Sequence, residues 1–396
     1  MKILIVHNYY RSLAPSGEDY VFRNEIDLLK KNSIHVITYE RNNDDLFAFN
    51  KKLTAPFNLI WSQKSYWEIK QLIKKEKPDI AHFHNIFYLI SPSAYYACQD
   101  SGVRVIQTLH NYRFFCINGL LFRDGKVCQK CIGKSSFNGC FYGCYRNSRL
   151  FSLPLAIFEE FHIVRKTWQN KINLFLSLSY ANKHFYIDSG FPEKNIYVKP
   201  NFLPNPPAPE YKSSSYIVFV GRLAREKGIN VLLDAFKILN KGKTNIHLKI
   251  LGSGPDQNFL EEKIKKGFIK NVDFIGRKVH SDVLENIKNS MALVMPSIWN
   301  ETFGLSAIEA YACGKPVIAS KIGSLSEIVR DGKTGLLFEP GDPIELASKI
   351  QWVVENPDAC VEMGRNARKE FEEKYTEERN YKMLMNIYEK VLERKA

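Results

Sequence analysis

The sequence predicts an α/β protein built from two doubly wound domains, and three observations support this. Residues 2–39 follow the order strand, loop, helix, strand, and the same order starts again at residue 216. Residues 200–215 hold five prolines and three serines without hydrophobic periodicity, which indicates a boundary. We therefore predict domains over residues 1–203 and 204–375, followed by a C-terminal helix over residues 376–396.

The composition fits a soluble globular protein. The chain has 396 residues, of which 45% are hydrophobic, enough for two α/β domains. No apolar segment reaches the ~18 residues of a membrane span, because the longest candidate, residues 150–164, contains Pro154, Glu159 and Glu160. The N-terminal MKILIVHNYY is typical of a first strand and not of a secretory signal. These features predict a cytoplasmic protein.

The positive charge is concentrated in the first half of the chain. Residues 1–200 contain 27 Lys and Arg against 16 Asp and Glu, or +11 of the total +14, and the remaining 29 against 26 give +3. Such a surface fits an anionic partner, such as lipid head groups, a lipid diphosphate or nucleic acid. A basic, solvated surface without a partner explains the same charge.

Aromatic residues alternate with lysines in residues 46–73, which favours contact with a membrane interface. Packing of the same aromatics in the core remains an alternative. The residues concerned are Phe47, Phe49, Phe57, Trp61, Tyr66 and Trp67, with Lys51, Lys52, Lys64 and Lys70.

Candidate ligand-binding residues in the first domain follow its strands, at the edge where doubly wound domains bind ligands. Gly17 lies in the loop after the first strand, without the G-x-G-x-x-G of dinucleotide-binding enzymes, which disfavours NAD. His84 and Asn85 end the segment PDIAHFHN, and His110 follows the strand over residues 103–109. For His84 and His110, a structural role is the alternative to ligand binding.

Four cysteines lie within 17 positions in an insert over residues 116–147. They follow a hairpin signal, Asp124-Gly125, with the spacing C-x2-C-x8-C-x3-C, and are Cys128, Cys131, Cys140 and Cys144. Four thiolates at this spacing suit a structural zinc ion in a reducing compartment. Free thiols and disulfides are the alternatives.

The second domain begins with a strand and the loop GRLAREKG, residues 221–228. Arg222 and Lys227 offer two cations to one anion, just before the N-terminus of a helix. This pattern favours a phosphate site over a solvated basic turn.

Residues 295–314 form the segment around which the chain is organised. A helix starting at Thr302 or Phe303 and ending at Gly314 is apolar nearly all round except for Glu309. A buried carboxylate needs partners, which a core Arg or Lys or the two hydroxyls of a ribose could supply. Glu301 precedes it by eight residues, and the backbone N–H groups near Phe303 and Gly304 favour a phosphate.

The segment ETFGLSAIEAYACGKPVIAS, with Glu301 and Glu309 in E-x7-E spacing, resembles the signature of the retaining glycosyltransferases of family 4, also called group 1. The resemblance implies a GT-B fold, in which two Rossmann-like domains face a cleft and the C-terminal helix over residues 376–396 crosses back to the first domain. It also implies a nucleotide-sugar donor in the second domain and an acceptor in the first. No D-x-D motif is present, so we expect no divalent ion to be required for catalysis.

The resemblance implies a role for each matching residue. Glu301 would orient the donor sugar or stabilise charge at its anomeric carbon, Glu309 would bind the ribose, and His110 would position the sugar. Arg222 and Lys227 would hold the diphosphate. Further donor-binding residues would be Gly17, Gly252, Gly254, Arg277, Phe303, Gly304 and Leu305.

The predicted function is transfer of a sugar, from UDP or GDP, to a glycan or polyprenyl-diphosphate-linked glycan in surface polysaccharide synthesis. Contact with the inner membrane face would follow from the basic first half. A GT-B nucleotide-sugar epimerase is one alternative. A basic nucleic-acid-binding protein with a zinc cluster is another, although base-reading motifs are absent and we expect no nucleic acid partner.

Overall fold

The computed structural model describes residues 1–10, 16–47, 57–212, 215–242 and 246–393. The chain divides into two compact units. The first contains Met1–Leu121, Cys128–Pro200 and the residues from Asn380 onwards, and the second contains Phe122–Val127 and Asn201–Arg379. In the described residues, no helix is long and apolar enough to cross a membrane.

The first unit is built on a parallel sheet with the strand order β2-β1-β3-β4-β7-β8. The order reverses beside β1, as in doubly wound folds. Its strands are β1 (Lys2–Tyr9), β2 (His35–Asn42), β3 (Ile80–Asn85), β4 (Arg104–Thr108), β7 (Leu174–Ser177) and β8 (Ile196–Val198). Its helices are α1 (Gly17–Lys31), α2 (Gln63–Glu76), α3 (Ser93–Gln99), α4 (Phe137–Phe141), α5 (Arg149–Val164), α6 (Thr167–Lys171) and α7 (Tyr180–Asp188).

The second unit repeats this plan with the strand order β11-β10-β9-β12-β13-β14. Its strands are β9 (Tyr216–Val220), β10 (His247–Leu251), β11 (Val272–Gly276), β12 (Leu293–Met295), β13 (Val317–Ser320) and β14 (Gly335–Phe338). Its helices are α8 (Ile229–Leu239), α9 (Gln257–Gly267), α10 (His280–Lys288), α11 (Leu305–Ala312), α12 (Leu325–Ile328), α13 (Pro343–Glu355) and α14 (Pro357–Lys374). Two parallel, doubly wound sheets confirm the predicted fold class.

The C-terminal helix α15 (Glu377–Glu393) carries its apolar face into the core of the first unit. Leu384, Ile387, Tyr388 and Val391 pack with residues of β1, β3, β4, β7 and α1. Leu392, next to Val391 on the same helix, is 40% exposed.

A short antiparallel hairpin, β5 (Phe122–Arg123) and β6 (Lys126–Val127), turns at Asp124-Gly125 as the sequence indicates. It groups with the second unit and not with the rest of the insert. A Cβ on Gly125 would come within 2.9 Å of the Arg225 guanidinium, so the missing side chain allows this packing.

Candidate active site

The predicted donor-binding residues meet at the carboxyl edge of the second sheet. The strand order reverses between β9 and β12, and open α/β sheets bind ligands at such a switch point. The loop after β9 carries Arg222 and Lys227, and the loop after β12 carries Glu301. The Ser306 hydroxyl of α11 donates to the Val220 carbonyl at 3.3 Å, which fixes this helix beside the end of β9.

Glycines let the loops of this edge pack against each other. Gly228 has φ +69°, and a Cβ there would lie 1.7 Å from the Pro296 carbonyl oxygen. A Cβ on Gly252 would lie 1.9 Å from the Gly221 carbonyl oxygen, and a Cβ on Gly254 would lie 2.2 Å from the Leu223 carbonyl oxygen. We assigned Gly252 and Gly254 to the donor from sequence, and the structure adds a packing reason for them.

Glu301 is buried and contacts both loops of the switch point. Its Oε1 accepts from Lys227 Nζ at 2.6 Å and from the Ser297 hydroxyl at 2.7 Å. Its carbonyl accepts from the Ser324 hydroxyl at 2.8 Å, so its side chain and its backbone are both held. The Lys227 ammonium has three N–H donors, and its contact with Glu301 leaves donors for a phosphate.

Arg222 also lies beside a carboxylate. Its guanidinium pairs with Glu226, whose side chain is buried, while more than half of the Arg222 side chain is exposed. Glu226 is fixed in turn because its carbonyl accepts from the Ile298 N–H at 3.0 Å. The Arg222 guanidinium is thus oriented by a neighbour and remains open to an anion.

Glu309 lies on α11, which starts at Leu305 and not at Thr302 or Phe303 as predicted. Gly304, with φ +105°, precedes the first turn and delays the start of the helix. The buried Glu309 Oε1 lies 2.9 Å from Nε2 of the partly exposed His280, at the start of α10. The partner is therefore neither the core Arg nor the core Lys that we considered.

The other predicted donor residues flank this group. Phe303 is buried and packs edge-on against Tyr375 at 6.0 Å between centroids, and Gly304 and Leu305 begin α11. Arg277 is exposed directly after β11. The structure pairs Lys227 with Glu301 and pairs Arg222 with Glu226, the residue before Lys227. Glu309 lies on α11, the helix that follows the loop of Glu301.

In the first unit, His84 and His110 are adjacent and buried. His84 Nδ1 lies 3.0 Å from His110 Nε2. Burial lowers the pKa of His84 to about 4. Burial and the two neighbouring histidines, His84 and His7, hold the pKa of His110 well below its ordinary value. Both imidazoles are therefore neutral at pH 7, and a neutral His110 can hydrogen-bond a sugar hydroxyl.

The predicted residue Gly17 is exposed at the start of α1. The first turn already holds two carboxylates, Glu18 and Asp19, and Asp19 forms a capping box with Ser16. A donor phosphate at Gly17 would therefore lie close to the Asp19 carboxylate, a charge of its own sign.

Sequence reasoning missed a buried polar cluster in the same unit. Glu25 Oε2 accepts from Lys199 Nζ at 2.7 Å, and Glu25 Oε1 lies 2.9 Å from His82 and 3.2 Å from His84. Burial would raise the pKa of Glu25, but Lys199 and the two histidines hold it well below its usual range. Of the residues described, only Glu25, His82 and His84 have at least three potential metal-ligand atoms within 4.8 Å of one another, and the Lys199 ammonium already supplies a cation there.

A second residue missed from sequence is Glu18. Its carboxylate accepts from Asn111 Nδ2 at 2.8 Å, next to His110 in the chain. Burial raises the pKa of Glu18 to about 7. A carboxyl that titrates near neutrality at the carboxyl edge of a sheet is a candidate functional group.

The four cysteines predicted to bind zinc form no disulfides with one another. Cys140 Sγ faces the Arg149 carbonyl at 3.5 Å. Burial raises the pKa of Cys131 to about 12, with smaller contributions through space from Cys116 and Cys144. Cys116, which the spacing did not single out, thus lies near the cluster, although no three of these sulfurs are within 4.8 Å of one another in the described residues.

The aromatic segment over residues 46–73 is only partly described. Phe49, Lys51 and Lys52 lie outside the described residues, as does the side chain of Phe47. Phe57 is 76% and Trp67 51% exposed, whereas Trp61 packs edge-on against Tyr96 at 5.2 Å. Phe57 and Trp67 are therefore exposed and Trp61 is half-buried, and contact of this segment with a membrane stays a prediction.

Comparison with known proteins fits this geometry. A family model described as "Glycosyl transferases group 1" matches residues 206–370, which includes the whole switch point. An uncharacterized glycosyltransferase of Methanocaldococcus jannaschii is 25% identical over 99% of this chain and 99% of its own. The protein is a glycosyltransferase, and its residues 206–370 are similar to the group 1 family.

Two further similarities agree with this identification. The D-rhamnosyltransferase WbpZ of Pseudomonas aeruginosa is 34% identical to this chain. The matched region covers 41% of this chain and 42% of WbpZ. The structure of Anabaena HepE in complex with UDP superposes with a TM-score of 0.66 and 18% identity over 98% of this chain and all of that one. The fold is accordingly that of the GT-B glycosyltransferases.

The packing of Gly228 can be tested against a matched glycine. Gly228→Ala introduces a Cβ against the Pro296 carbonyl, whereas Gly332→Ala has nearly the same φ, +70°, and no atom within 4 Å. We expect Gly332→Ala to cost about 1–2 kcal/mol from left-handed strain alone and Gly228→Ala to cost clearly more. Chemical unfolding measures both. Equal losses would show that the close approach to Pro296 is unimportant.

Proposed function

We propose that the glycosyltransferase moves a sugar from a nucleotide diphosphate sugar to a glycan or lipid-linked glycan, with retention of anomeric configuration. The bond from the anomeric carbon to the diphosphate breaks, an acceptor hydroxyl oxygen bonds to that carbon and loses its proton, and a nucleoside diphosphate leaves. The observation that carries the proposal is the contact of Lys227 with Glu301 at the switch point. This contact places a cation beside a carboxylate. The cation can stabilise the negative charge of the diphosphate, and the carboxylate can stabilise the positive charge that develops at the sugar carbon.

The donor roles follow from charge and position in the second unit. Arg222 and Lys227 would offset the diphosphate charge without a divalent ion, and the N–H groups at the start of α11 would add donors at Gly304 and Leu305. Glu301 would stabilise positive charge at the anomeric carbon. HepE was crystallised with UDP, which supports a UDP-sugar, and GDP-sugars remain in the proposal.

The acceptor is proposed to be a glycan on a polyprenyl diphosphate, in the synthesis of a surface polysaccharide. The net charge of +11 over residues 1–200 supports an anionic acceptor at the inner membrane face. In the first unit His110 would position the sugar, and Glu18 lies beside it in the same polar group. The epimerase and nucleic-acid alternatives find no support in the comparisons.

Loss of the Glu301 charge tests the catalytic assignment. We expect Glu301→Gln to lower turnover by about 10²-fold or more, the scale of losing one electrostatic stabiliser, with little change in thermal stability. Release of nucleoside diphosphate from UDP-, GDP-, ADP- and CMP-sugars, with membrane lipid extract as acceptor, gives the rate. Glu262→Gln is the control, because Glu262 meets Lys266 at 2.5 Å on the exposed surface. A Glu301→Gln rate within a few-fold of the parent would remove Glu301 from the mechanism.

The pair of Glu309 and His280 allows the ribose assignment to be tested. If Glu309 binds the ribose hydroxyls, Glu309→Gln weakens binding of the nucleotide by at least 10-fold, while His280→Gln leaves most of the affinity. Isothermal titration with UDP and GDP measures this, and thermal unfolding is recorded for both variants. If both variants melt earlier by similar amounts and bind nucleotide normally, the pair is only structural.

We further propose that the cysteine insert holds a structural zinc ion. Burial keeps the Cys131 thiol protonated at pH 7, whereas zinc would deprotonate it. Metal analysis should find one zinc per chain, lost in Cys128→Ser, Cys131→Ser, Cys140→Ser and Cys144→Ser. Cys116→Ser decides whether Cys116 takes the place that the spacing gave to Cys140. If the parent protein, purified without chelators, contains no metal, the zinc proposal is wrong and the cysteines are free thiols.

A further inference from the structure

Helix α5 presents an apolar surface on the side turned away from the core. Its buried face consists of Ser152, Leu155, Ala156, Phe158, Glu159 and His162. The opposite face follows helical spacing, and its side chains are 37% to 78% exposed: Leu150, Leu153, Ile157, Phe161 and Val164. Phe137, Phe141 and Phe151 extend this surface with exposures of 45% to 63%. These eight residues form what we call the α5 surface.

A contiguous apolar surface of this kind is unusual on a protein that stays in water and marks an interaction site. The helix has 16 residues, or about 24 Å at 1.5 Å per residue. That is too short to cross the ~30 Å hydrocarbon core. It is long enough to lie in the plane of a membrane interface with its apolar side buried.

Basic residues lie close to the α5 surface, and two of them contact its aromatic rings. Over residues 130–166 the chain has six basic residues, all exposed: Lys130, Lys134, Arg146, Arg149, Arg165 and Lys166. The guanidinium of Arg149 lies 5.2 Å from the Phe141 ring centroid, and that of Arg165 lies 5.3 Å from the Phe161 centroid. Basic side chains beside aromatic rings are suited to snorkel toward phosphate while the rings enter the lipid.

The two acidic residues of this stretch offset little of that charge. Burial raises the pKa of Glu159 to about 8, so it is largely neutral at pH 7. The carboxylate of Glu160 accepts from the Ser135 hydroxyl at 2.7 Å, and it counts as one negative charge. Six positive charges against one leave residues 130–166 with a net charge of about +5.

We infer that the α5 surface is a docking site for an anionic lipid membrane. A second copy of the chain is the other occupant to consider, but a twofold contact would set the same arginines against each other. An anionic bilayer matches both the apolar side chains and the charge. The inference rests on the proposed function, since it names the surface through which a lipid-linked acceptor would be approached. It also moves the main contact from residues 46–73 to α5.

The test is vesicle sedimentation, which needs neither donor nor acceptor. The parent protein should bind phosphatidylglycerol vesicles at low salt and keep part of this binding at 1 M salt, where the Debye length is ~3 Å. It should not bind pure phosphatidylcholine comparably. No binding to phosphatidylglycerol at low salt would overturn the inference, and normal nucleotide binding in the same sample would leave the proposed donor site intact.

Two variants separate the apolar and the charged contributions. Leu150→Gln/Ile157→Gln/Val164→Gln should lose the salt-resistant fraction, because the inserted side chains are gone. Arg146→Gln/Arg165→Gln/Lys166→Gln should bind about 100-fold more weakly at low salt, at about 1 kcal/mol per basic residue.

Matched controls come from the second unit. Phe268→Gln/Val279→Gln/Ile344→Gln replaces three exposed apolar residues, and Lys237→Gln/Lys265→Gln/Lys369→Gln replaces three exposed lysines. Both should bind like the parent. Loss of binding in these controls equal to that in the α5 variants would overturn the inference. So would a dimer, seen in sedimentation velocity without vesicles, that the α5 apolar variant abolishes.

Discussion

The contact of Lys227 with Glu301 is the interaction on which the candidate site depends. It joins the two loops that leave the sheet where the strand order reverses, and Gly228 permits it because its missing side chain lets the backbone approach Pro296. Charge and packing act together there. A buried carboxylate without a partner is costly, and Lys227 supplies that partner while retaining N–H donors for a ligand. The site is thus ordered before any donor binds, which lowers the cost of binding.

The first unit also contains a buried carboxylate, that of Glu25, and different residues supply its partners. Glu25 of α1 meets Lys199 after β8 and two histidines of β3, while Asn380 and Tyr388 bring α15 into the same cluster. Every charge in it has a close partner, as a buried polar network requires. This cluster fixes the end of β3 and therefore His84, which contacts His110. His84 and His110 are neutral because burial lowers the pKa of both, although the nearby Glu25 carboxylate acts in the opposite direction.

Local patterns predicted much of the fold. The bounds of β9, β10 and α8 agree with their sequence patterns, because each is a short apolar run ended by Gly or a polar turn. Contacts between residues far apart in the chain were not predictable. Nothing near His280 in the sequence points to Glu309, and nothing near Lys199 points to Glu25. The apolar pattern runs on from residue 150 to Trp168 without a break, but Lys166 with φ +51° separates α5 from α6. No glycine signals that break.

Helices α5 and α11 show why a hydrophobic pattern alone does not decide burial. Both are apolar nearly all round, and from the sequence each could have been a core helix. Helix α11 is enclosed by α10 and α14 and by strands β12 and β13, so its apolar side chains are covered. Helix α5 packs on one side only, with α4 and α6 as its neighbours. Because its outer side chains stay exposed, they contribute no hydrophobic free energy to folding in water. The inferred contact with lipid explains why they are nevertheless apolar.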